Sequence, residues 1–573
     1  MSEEKEYIVT LHNHSDCEQF YDEMESNKFT EFIPGKEFNC IHRREISRNT
    51  HYSMTDEEAN QLRQDSRVLG IQETSENRGE LYEKCFEWDS TTHFDKPYMY
   101  DATESNSKVQ WGVLRSSSGN NTPSAEYTTD IPMPFDKVDT GDQEGEGVDV
   151  VIVDDLIDPY HPEFAVNRDG TGGTRVVQYT WSSGYTYNPS GESHGCHVSG
   201  TVAGNRQGWA VKADIYNQYF QGWNFDDIRT WHNNKTNGNP TVINNSWIGY
   251  NRHYWSVINY PTTGVTTYWN LDTVHYRGTT YTNVDQSTAA SFGIVNVQSY
   301  YRHFATMPNI ALDADLQDCM SDGIIVVCAA NNFNQYYTQD PSHPDYNNYI
   351  IHSKTGGYPY ATFDTNNAPF YYARGGSPAC TPGVICVGNA SSNQPSNYRP
   401  YISDSTKDHK AYSSSKGPRI DVWASGTNIQ SSVQHSSQGI TDNRTYSGSL
   451  RAAQDLKGGT SMASPQVCGV IACLVGKYRD FTQEDVRSWL ISQGSTYDQI
   501  YTTSTTDYQD EDSIMDGSNR YLYFNRVRKG TGQVWPNPNH RTKVVQSPNN
   551  YPVQPALPTR QVYPRMKRNY NVP

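Results

Sequence analysis

The stretch GGTSMASPQVCGVIACLVG, residues 458–476, joins a glycine-rich turn to a long run of small apolar residues. Such a run predicts a buried helix, and a hydroxyl residue behind Gly-Gly-Thr marks its beginning. That residue is Ser461. Taken alone, a serine in this position is an ordinary helix cap, so its meaning depends on the rest of the chain.

Two other segments supply the chemical partners that a reactive serine needs. VDVVIVDDLIDPYHPEF, residues 148–164, places Asp154 directly behind an apolar strand. SHGCHVSGTVAG, residues 193–204, places His194 at the start of a helix of small residues. Each has a structural explanation when taken singly, as a turn residue or a packed histidine. Together they follow the order Asp, His, Ser, which is the order of the catalytic residues in subtilisin.

With these segments the chain resembles the subtilase family of serine proteases. GTSMASP is close to the serine block of that family, HGCHVSG is a variant of its histidine block, and IVDDLIDPYHPE resembles its aspartate block, with paired acids as in the kexin-like branch. VVCAANN, VINNSWIG, GWAVKADIY and DVWASGTNI match further family segments. The resemblance covers about 145–325 and 325–500, interrupted by an insertion.

The resemblance implies a serine endopeptidase that works through an acyl-enzyme and needs no cofactor for its chemistry. Carried over residue by residue, it assigns the catalytic triad to Asp154, His194 and Ser461 and the oxyanion-hole amide to Asn332. It also suggests residues that line the substrate cleft, which are Ser246, Trp247, Ile248, Gly249, Ala329, Ala330 and Asn331.

Three departures from the family pattern affect these assignments. Leu156 replaces a glycine behind the catalytic aspartate, which predicts a reshaped turn if that position needs a positive φ. Asn331 replaces a glycine before the oxyanion residue, a milder change because Asn tolerates the left-handed region. Cys196 replaces a threonine beside His194 and is either a packing residue or a point of redox sensitivity.

The order of apolar runs predicts the fold class. DVVIV, ADIYNQYF, TVINNSW, GIIVVCAA and GVICVGN each end in polar, Gly or Asn residues and alternate with segments long enough for helices. This pattern indicates an α/β fold with a mostly parallel central sheet, helices on both faces, and function at the carboxyl ends of the strands. The catalytic domain is predicted to span residues 146–524, with an insertion at about 250–310.

The N-terminal region, residues 1–75, reads as a small α+β unit of ferredoxin-like type, β-α-β-β-α-β, with Thr55 as the cap of its second helix. It resembles the propeptide domain of subtilases, which implies an intramolecular inhibitor removed by self-cleavage, here between about 72 and 108. An ordinary accessory module is the alternative. Residues 76–145 are predicted to be a linker and the start of the mature chain, and residues 525–573 a basic, proline-rich tail.

Composition excludes several other classes of protein. The net charge of −18 argues against nucleic-acid binding, and no stretch is long and apolar enough to predict a membrane helix. The start MSEEKEYIVTL lacks the features of a signal peptide, which favours an intracellular or virion-associated protease over a secreted one. The insertion and the basic tail favour association with a larger, viral assembly.

Cysteines and acidic segments complete the sequence predictions. The ten cysteines are scattered, several lie in apolar runs, and no spacing indicates zinc, so we expect reduced thiols, including Cys380 and Cys386. The acidic segments DTGDQEGEG and QDEDSIMDG permit structural calcium but match no EF-hand, so no metal ligand is assigned.

A structural protein that keeps this fold as a binding scaffold is the competing hypothesis. The presence of Asp154, His194, Ser461 and Asn332 together argues against it, and labelling of Ser461 by a fluorophosphonate distinguishes the two. A lipase or esterase is disfavoured because the chain has no G-x-S-x-G elbow.

Overall fold

The structure is a computed structural model of the 573-residue chain. It describes residues 3–26, 28, 30–77, 81–85, 111–118, 144–155, 157–159, 161–167, 172–178, 194–205, 207–220, 225–254, 256–259, 268–295, 302–306, 308–351, 369–391, 407–433, 445–446, 450–451, 453–503 and 506–524. The predicted C-terminal tail, residues 525–573, lies outside the described residues.

The elements of the described residues are as follows, in chain order. The strands are β1 (Lys5–Leu11), β2 (Asn39–Arg43), β3 (Asn49–Met54), β4 (Val68–Glu73), β5 (Leu81–Lys84), β6 (Asp149–Asp154), β7 (Val176–Gln178), β8 (Asp214–Tyr219), β9 (Thr241–Asn245), β10 (Trp247–Tyr254), β11 (Ser256–Asn259), β12 (Tyr268–Tyr276), β13 (Thr279–Asp285), β14 (Arg302–Thr306), β15 (Ile325–Ala329), β16 (Tyr349–Ile351), β17 (Ile385–Ser391), β18 (Asp408–Lys410), β19 (Val422–Ser425), β20 (Ile429–Val433), β21 (Thr445–Tyr446), β22 (Leu450–Arg451), β23 (Ala453–Lys457), β24 (Ser495–Tyr497), β25 (Ile500–Tyr501) and β26 (Arg520–Leu522). The helices are α1 (Cys17–Glu25), α2 (Asp56–Leu62), α3 (Trp111–Ser118), α4 (His194–Ala203), α5 (Phe225–Asn234), α6 (Gln286–Ser291), α7 (Ile310–Ser321), α8 (Thr460–Lys477) and α9 (Gln483–Ser492).

The N-terminal region forms a separate antiparallel sheet with the strand order β2-β3-β1-β4. The elements follow the predicted order β-α-β-β-α-β, and α1 and α2 contribute side chains to one apolar core with the sheet. Thr55 caps α2 as predicted, in a reciprocal capping box with Glu58. The prediction of a small α+β unit before the α/β domain is therefore confirmed.

A second, larger sheet carries the main core, with the order β24-β26-β19-β17-β15-β9-β6-β8-β7 and with β18 and β25 attached beside it. The neighbours from β19 to β7 all pair in parallel. Strands β6, β9 and β15 are buried along their whole length, as expected of parallel strands covered on both faces. The predicted α/β class with a mostly parallel sheet is confirmed.

Helix α8 packs centrally against this sheet, where it contacts β9, β15, β17 and β19. It also packs against α4. The two helices begin beside the ends of different strands, because His194 contacts Asp154 at the end of β6 and Ser461 contacts Ser246 behind β9. Parallel strands share one carboxyl-terminal edge, so the residues that open α4 and α8 meet the residues that follow β6, β9 and β15.

The predicted insertion at about 250–310 contains β strands rather than irregular chain alone. Strands β11, β12, β13 and β16 form a sheet with its own apolar core, while β10 pairs with β14 on one edge. The weak periodicity there reflects strands such as β13 that are exposed over most of their length.

Two elements of the described residues, β5 and α3, lie within residues 76–145, the predicted linker and start of the mature chain. Strand β5 pairs antiparallel with β10. Helix α3 docks on the main core, where Arg115 Nε donates to Asp408 Oδ2 at 2.6 Å with both side chains fully buried. Within the described residues no helix is long and apolar enough to cross a membrane.

Candidate active site

Asp154 and His194 meet at the carboxyl-terminal edge of the central sheet. Asp154 is the last residue of β6, between β8 and β9, and His194 is the first residue of α4. His194 Nδ1 lies 2.6 Å from Asp154 Oδ1, and both side chains are almost completely buried. The same oxygen accepts a hydrogen bond from the backbone N–H of Asp155 at 2.7 Å, which fixes the carboxylate towards the imidazole.

Burial governs the proton equilibrium of this pair. It raises the pKa of Asp154, although the Asp155 N–H and Lys84 oppose the shift, and it lowers the pKa of His194. Both shifts disfavour the charged forms of the two buried side chains. Burial therefore favours the neutral imidazole, the form whose second nitrogen can accept a proton.

Ser461 lies in the first turn of α8, directly behind the predicted glycine-rich turn. Gly459, the N-cap of the helix, has a φ of 135°, a backbone conformation that residues other than glycine rarely adopt. Ser461 is completely buried, and its Oγ donates to the carbonyl oxygen of Ser246 at 2.8 Å. In return, Ser246 Oγ donates to the Ser461 carbonyl oxygen at 3.0 Å, which ties the start of α8 to the end of β9.

Asn332 follows β15 and faces the same turn of α8. Its Oδ1 accepts from the backbone N–H of Thr460 at 2.9 Å and from Thr460 Oγ1 at 3.0 Å. These two bonds fix the orientation of the amide. Its Nδ2 is buried, with no hydrogen-bond partner among the residues that the structure describes. Asn331 before it has a φ of 89°, consistent with the prediction that Asn tolerates a position where glycine is usual.

Residues 81–85 of the chain lie beside Ser461. Strand β5 pairs antiparallel with β10 so that Lys84 lies opposite Trp247 and Tyr82 opposite Gly249. The next residue, Cys85, donates its N–H to the Ser246 carbonyl at 3.0 Å. Its own carbonyl oxygen accepts from the Ser461 N–H at 2.8 Å. A peptide carbonyl therefore lies at the N-terminus of α8, where backbone donors and the helix dipole favour negative charge.

This geometry can be compared with that of known proteins. The sequence model of the subtilase family matches residues 145–511. The chain belongs to the subtilase family. As a subtilase it is a serine endopeptidase, a hydrolase that acts on polypeptides and needs no cofactor for catalysis.

Two solved structures are similar to this subtilase. One is a cold adapted subtilisin-like serine proteinase, with 17% identity, coverage of 73% of this chain and 98% of that chain, and a TM-score of 0.39. The other is fervidolysin from Fervidobacterium pennivorans, a keratinolytic enzyme related to subtilisin, with 14% identity, coverage of 91% of this chain and 60% of that chain, and a TM-score of 0.42. A search of curated proteins found no match.

The suggested cleft residues of the subtilase fall into two groups. The first, Ser246 to Gly249, runs alongside residues 82–85 as described above. The second, Ala329 to Asn331, ends β15 and touches α8, because the Asn331 N–H donates to Thr460 Oγ1 at 3.1 Å. Both groups therefore lie next to the turn that carries Ser461.

Sequence reasoning missed the roles of Thr460 and Asp155. Thr460 orients Asn332, and its position between Gly459 and Ser461 is the one sequence signal that points to it. Asp155 contacts Lys84 of the segment in the cleft. Leu156, where a reshaped turn is predicted, lies outside the described residues.

The structure also bears on the predictions for the cysteines and for a metal site. Cys196 is completely buried in the main core, and burial raises the pKa of its thiol, which favours the packing interpretation over a redox role. All ten cysteines are free thiols. In the described part of the chain no group of His, Cys, Asp or Glu side chains is arranged to hold a metal ion. In the acidic segment 509–517, the Asp510 carbonyl accepts from Lys416 Nζ at 2.7 Å.

Proposed function

We propose that Asp154, His194 and Ser461 are the catalytic triad of this subtilase and that Asn332 completes its oxyanion hole. The observation that carries the proposal is the hydrogen bond from the Ser461 N–H to the carbonyl oxygen of Cys85. It places a peptide carbonyl of the chain beside the hydroxyl that would attack it. The buried, oriented amide of Asn332 supports a second donor to the same oxygen.

The proposed reaction begins when the Ser461 hydroxyl turns from the Ser246 carbonyl towards His194. His194 takes the proton as Oγ bonds to the carbonyl carbon, and the carbonyl oxygen becomes negative. Ser461 N–H and Asn332 Nδ2 stabilise that oxygen, while Asp154 stabilises the imidazolium. The amide nitrogen leaves with the proton from His194. Water, activated by His194, then hydrolyses the acyl-enzyme and releases a carboxyl group.

Covalent labelling tests this assignment. Once the N-terminal module, residues 1–85, is removed, we expect a fluorophosphonate to modify Ser461 and to abolish peptide hydrolysis, because the activated hydroxyl attacks the phosphorus. A Ser464→Ala chain is the matched control, since Ser464 lies one turn further along α8 and donates to Asn244. We expect it to label like the wild type. We expect a Ser461→Ala chain, freed of its module by added mature enzyme that is then removed, to remain unlabelled. Label on Ser464, or equal labelling of both variants, would refute the triad.

We further propose that the chain processes itself between Cys85 and Phe86. The predicted range of about 72–108 narrows to this bond because Cys85 carries the carbonyl that contacts Ser461. The segment 81–85 is held as a strand on β10, which keeps the scissile bond in the position of a bound substrate. Until it leaves, the same segment fills the cleft, so the N-terminal module acts as an intramolecular inhibitor.

Charged contacts between the N-terminal module and the catalytic domain support the inhibitory role. Arg44 Nε donates to Asp226 Oδ2 at 2.7 Å, and its Nη1 donates to Asp315 Oδ2 at 2.8 Å. Arg48 Nε donates to Asp318 Oδ1 at 2.9 Å. Asp315 is completely buried in this contact, so the module closes over an acidic face formed by α5 and α7.

Arg44→Ala is expected to speed the loss of the module after cleavage. Truncating one partner of a buried, hydrogen-bonded charge pair costs about 2–5 kcal/mol and acts mainly on dissociation. The time course of peptide hydrolysis after self-processing measures this, because activity rises as the module leaves. We expect the delay before full activity to shorten by at least roughly tenfold.

Arg43→Ala is the control for that change. Arg43 precedes Arg44 but pairs with Glu25 inside the module. We expect its delay to match the wild type. Equal delays in the Arg44 and Arg43 variants would show that the acidic face does not hold the module.

A further inference from the structure

Asn331, which precedes the proposed oxyanion-hole residue, is bonded at both ends of its side-chain amide. The residue is almost completely buried. Its Oδ1 accepts from the backbone N–H of Asn332, and its Nδ2 donates to the hydroxyl of Tyr337 at 3.1 Å. The side chain of Asn331 therefore connects the backbone of Asn332 to a tyrosine further along the same loop.

The backbone of Asn331 is held by the turn that carries Ser461 and by a neighbouring loop. Its N–H donates to Thr460 Oγ1 at 3.1 Å, and its carbonyl oxygen accepts from the Ser415 N–H at 3.0 Å. Thr460 Oγ1 in turn donates to Asn332 Oδ1 at 3.0 Å. Because both main-chain groups of Asn331 are engaged in this way, its side chain is the part that extends the network towards Tyr337.

Tyr337 is a completely buried residue whose hydroxyl joins three polar side chains. The hydroxyl accepts from Asn331 Nδ2, donates to Gln335 Oε1 at 2.9 Å, and lies 3.2 Å from Thr306 Oγ1, which can donate to it. A tyrosine hydroxyl has one proton to donate and lone pairs that accept, so one donated and two accepted bonds satisfy it. Burial raises the pKa of Tyr337, so the proton donated to Gln335 stays on the oxygen at neutral pH.

Thr306 connects this network to the strand on which residues 81–85 lie. It is the last residue of β14 and lies opposite Tyr250 in the pairing of β14 with β10. On its other edge β10 pairs with β5. The ring of Phe333, the residue after Asn332, packs edge-on against Tyr250, with 6.1 Å between the ring centroids. The insertion therefore reaches the polar network behind Asn332 through β14.

We propose that Tyr337 is a positioning residue for catalysis, whose hydroxyl holds Asn331 and, through it, the amide of Asn332 in place for the developing oxyanion. This proposal rests on the proposed function, because it takes Asn332 as the oxyanion-hole donor. Such a donor is effective because it is fixed before the charge develops, and a displacement of about 1 Å can cost on the order of 10² in rate. Since Tyr337 acts through Asn331, its effect on the rate depends on the presence of the Asn332 amide.

Tyr337→Phe tests the proposal, because it removes only the hydroxyl. The self-processed enzyme is assayed under reducing conditions on a quenched fluorescent peptide with the sequence of residues 81–88, LYEKCFEW, and a fluorophosphonate counts the active sites. We expect kcat to fall roughly tenfold and KM to change by less than about twofold, since the donor strengthens only in the transition state. Tyr336→Phe is the matched control, because its hydroxyl contacts His343 and Asp516 instead, and we expect it to keep the wild-type kcat.

A double variant separates positioning of the amide from a general effect on packing. If Tyr337 acts through Asn332, its hydroxyl matters little once that amide is gone. We therefore expect Tyr337→Phe to change kcat by less than about twofold in an Asn332→Ala chain, whereas independent effects would multiply. Asn331→Gly breaks the same link from the other side and tolerates the positive φ, so we expect it to lower kcat about as much as Tyr337→Phe does.

Each result either supports or overturns the role of Tyr337. A wild-type kcat in Tyr337→Phe or in Asn331→Gly, an equal loss in Tyr336→Phe, or an undiminished loss in the Asn332→Ala chain would overturn it, while the protease assignment stands. An unchanged kcat in Asn332→Ala alone would contradict the oxyanion-hole assignment and the role of Tyr337 with it.

Discussion

A Ser461→Ala chain is expected to remain full length, whereas the wild-type chain separates into two pieces. The physical reason is that the bond after Cys85 already lies against the N-terminus of α8, with its carbonyl on the Ser461 N–H at 2.8 Å. Removal of Oγ leaves this contact intact but removes the nucleophile, and loss of the catalytic serine costs on the order of 10⁶ in kcat in subtilisin. Gel electrophoresis and intact mass of the purified protein measure the result.

Two controls accompany the prediction for the Ser461→Ala chain. The melting temperature of the variant should be close to that of the unprocessed wild type, because among the described residues the serine hydroxyl makes one hydrogen bond, to the Ser246 carbonyl. Added mature enzyme tests whether the bond in the variant can still be cut in trans. If the purified Ser461→Ala chain is cut on its own at the wild-type rate, self-processing by Ser461 is wrong.

Asn332→Ala is expected to lower kcat by about 10²–10³ with little change in KM, the range known for loss of an oxyanion-hole donor in subtilisin. The loss concerns kcat because the donor gains strength only as the carbonyl oxygen becomes negative. In this chain the amide is fixed through Thr460, so its Nδ2 needs no reorganisation when the charge develops. Steady-state kinetics on a single peptide provide the measurement.

Asn332→Asp is the matched variant because it retains the oxygen that accepts from Thr460 and replaces only the donor. We expect a loss at least as large as that of the alanine variant, since a carboxylate would repel the developing oxyanion. An unchanged kcat in both variants would remove Asn332 from the oxyanion hole. A loss in the alanine variant alone would mean that Asn332 acts by supporting Thr460.

Much of the fold could be predicted because its signals are local. The apolar runs that became β6, β8, β9, β15 and β17 are buried parallel strands, whose near-continuous hydrophobic sequence is itself the signature. The cap at Thr55 and the glycine at 459 follow from the chemistry of single turns. The order of the sheet requires long-range pairing, which the sequence implied only through the family resemblance.

The sequence indicated candidate site residues that each lie in one recognisable segment. It did not indicate the contacts that form between segments far apart in the chain. Asp154 and His194 each lie in a recognisable block, and the structure brings them within hydrogen-bond distance. The pairing of β5 with β10 joins segments more than 160 positions apart, and a four-residue strand has too little periodicity to be recognised. The sequence shows Asp155 next to Asp154, but it does not show the contact with Lys84, because that contact requires the pairing of β5 with β10.

The exact masses of the two pieces of the wild-type chain test the central claim most directly. If the carbonyl of Cys85 occupies the oxyanion hole, one piece must end at Cys85 and the other must begin at Phe86. The same masses in the presence and absence of Ser461 show whether the cut belongs to this site. A first cut at any other bond, with Cys85 and Phe86 still joined, would contradict the account.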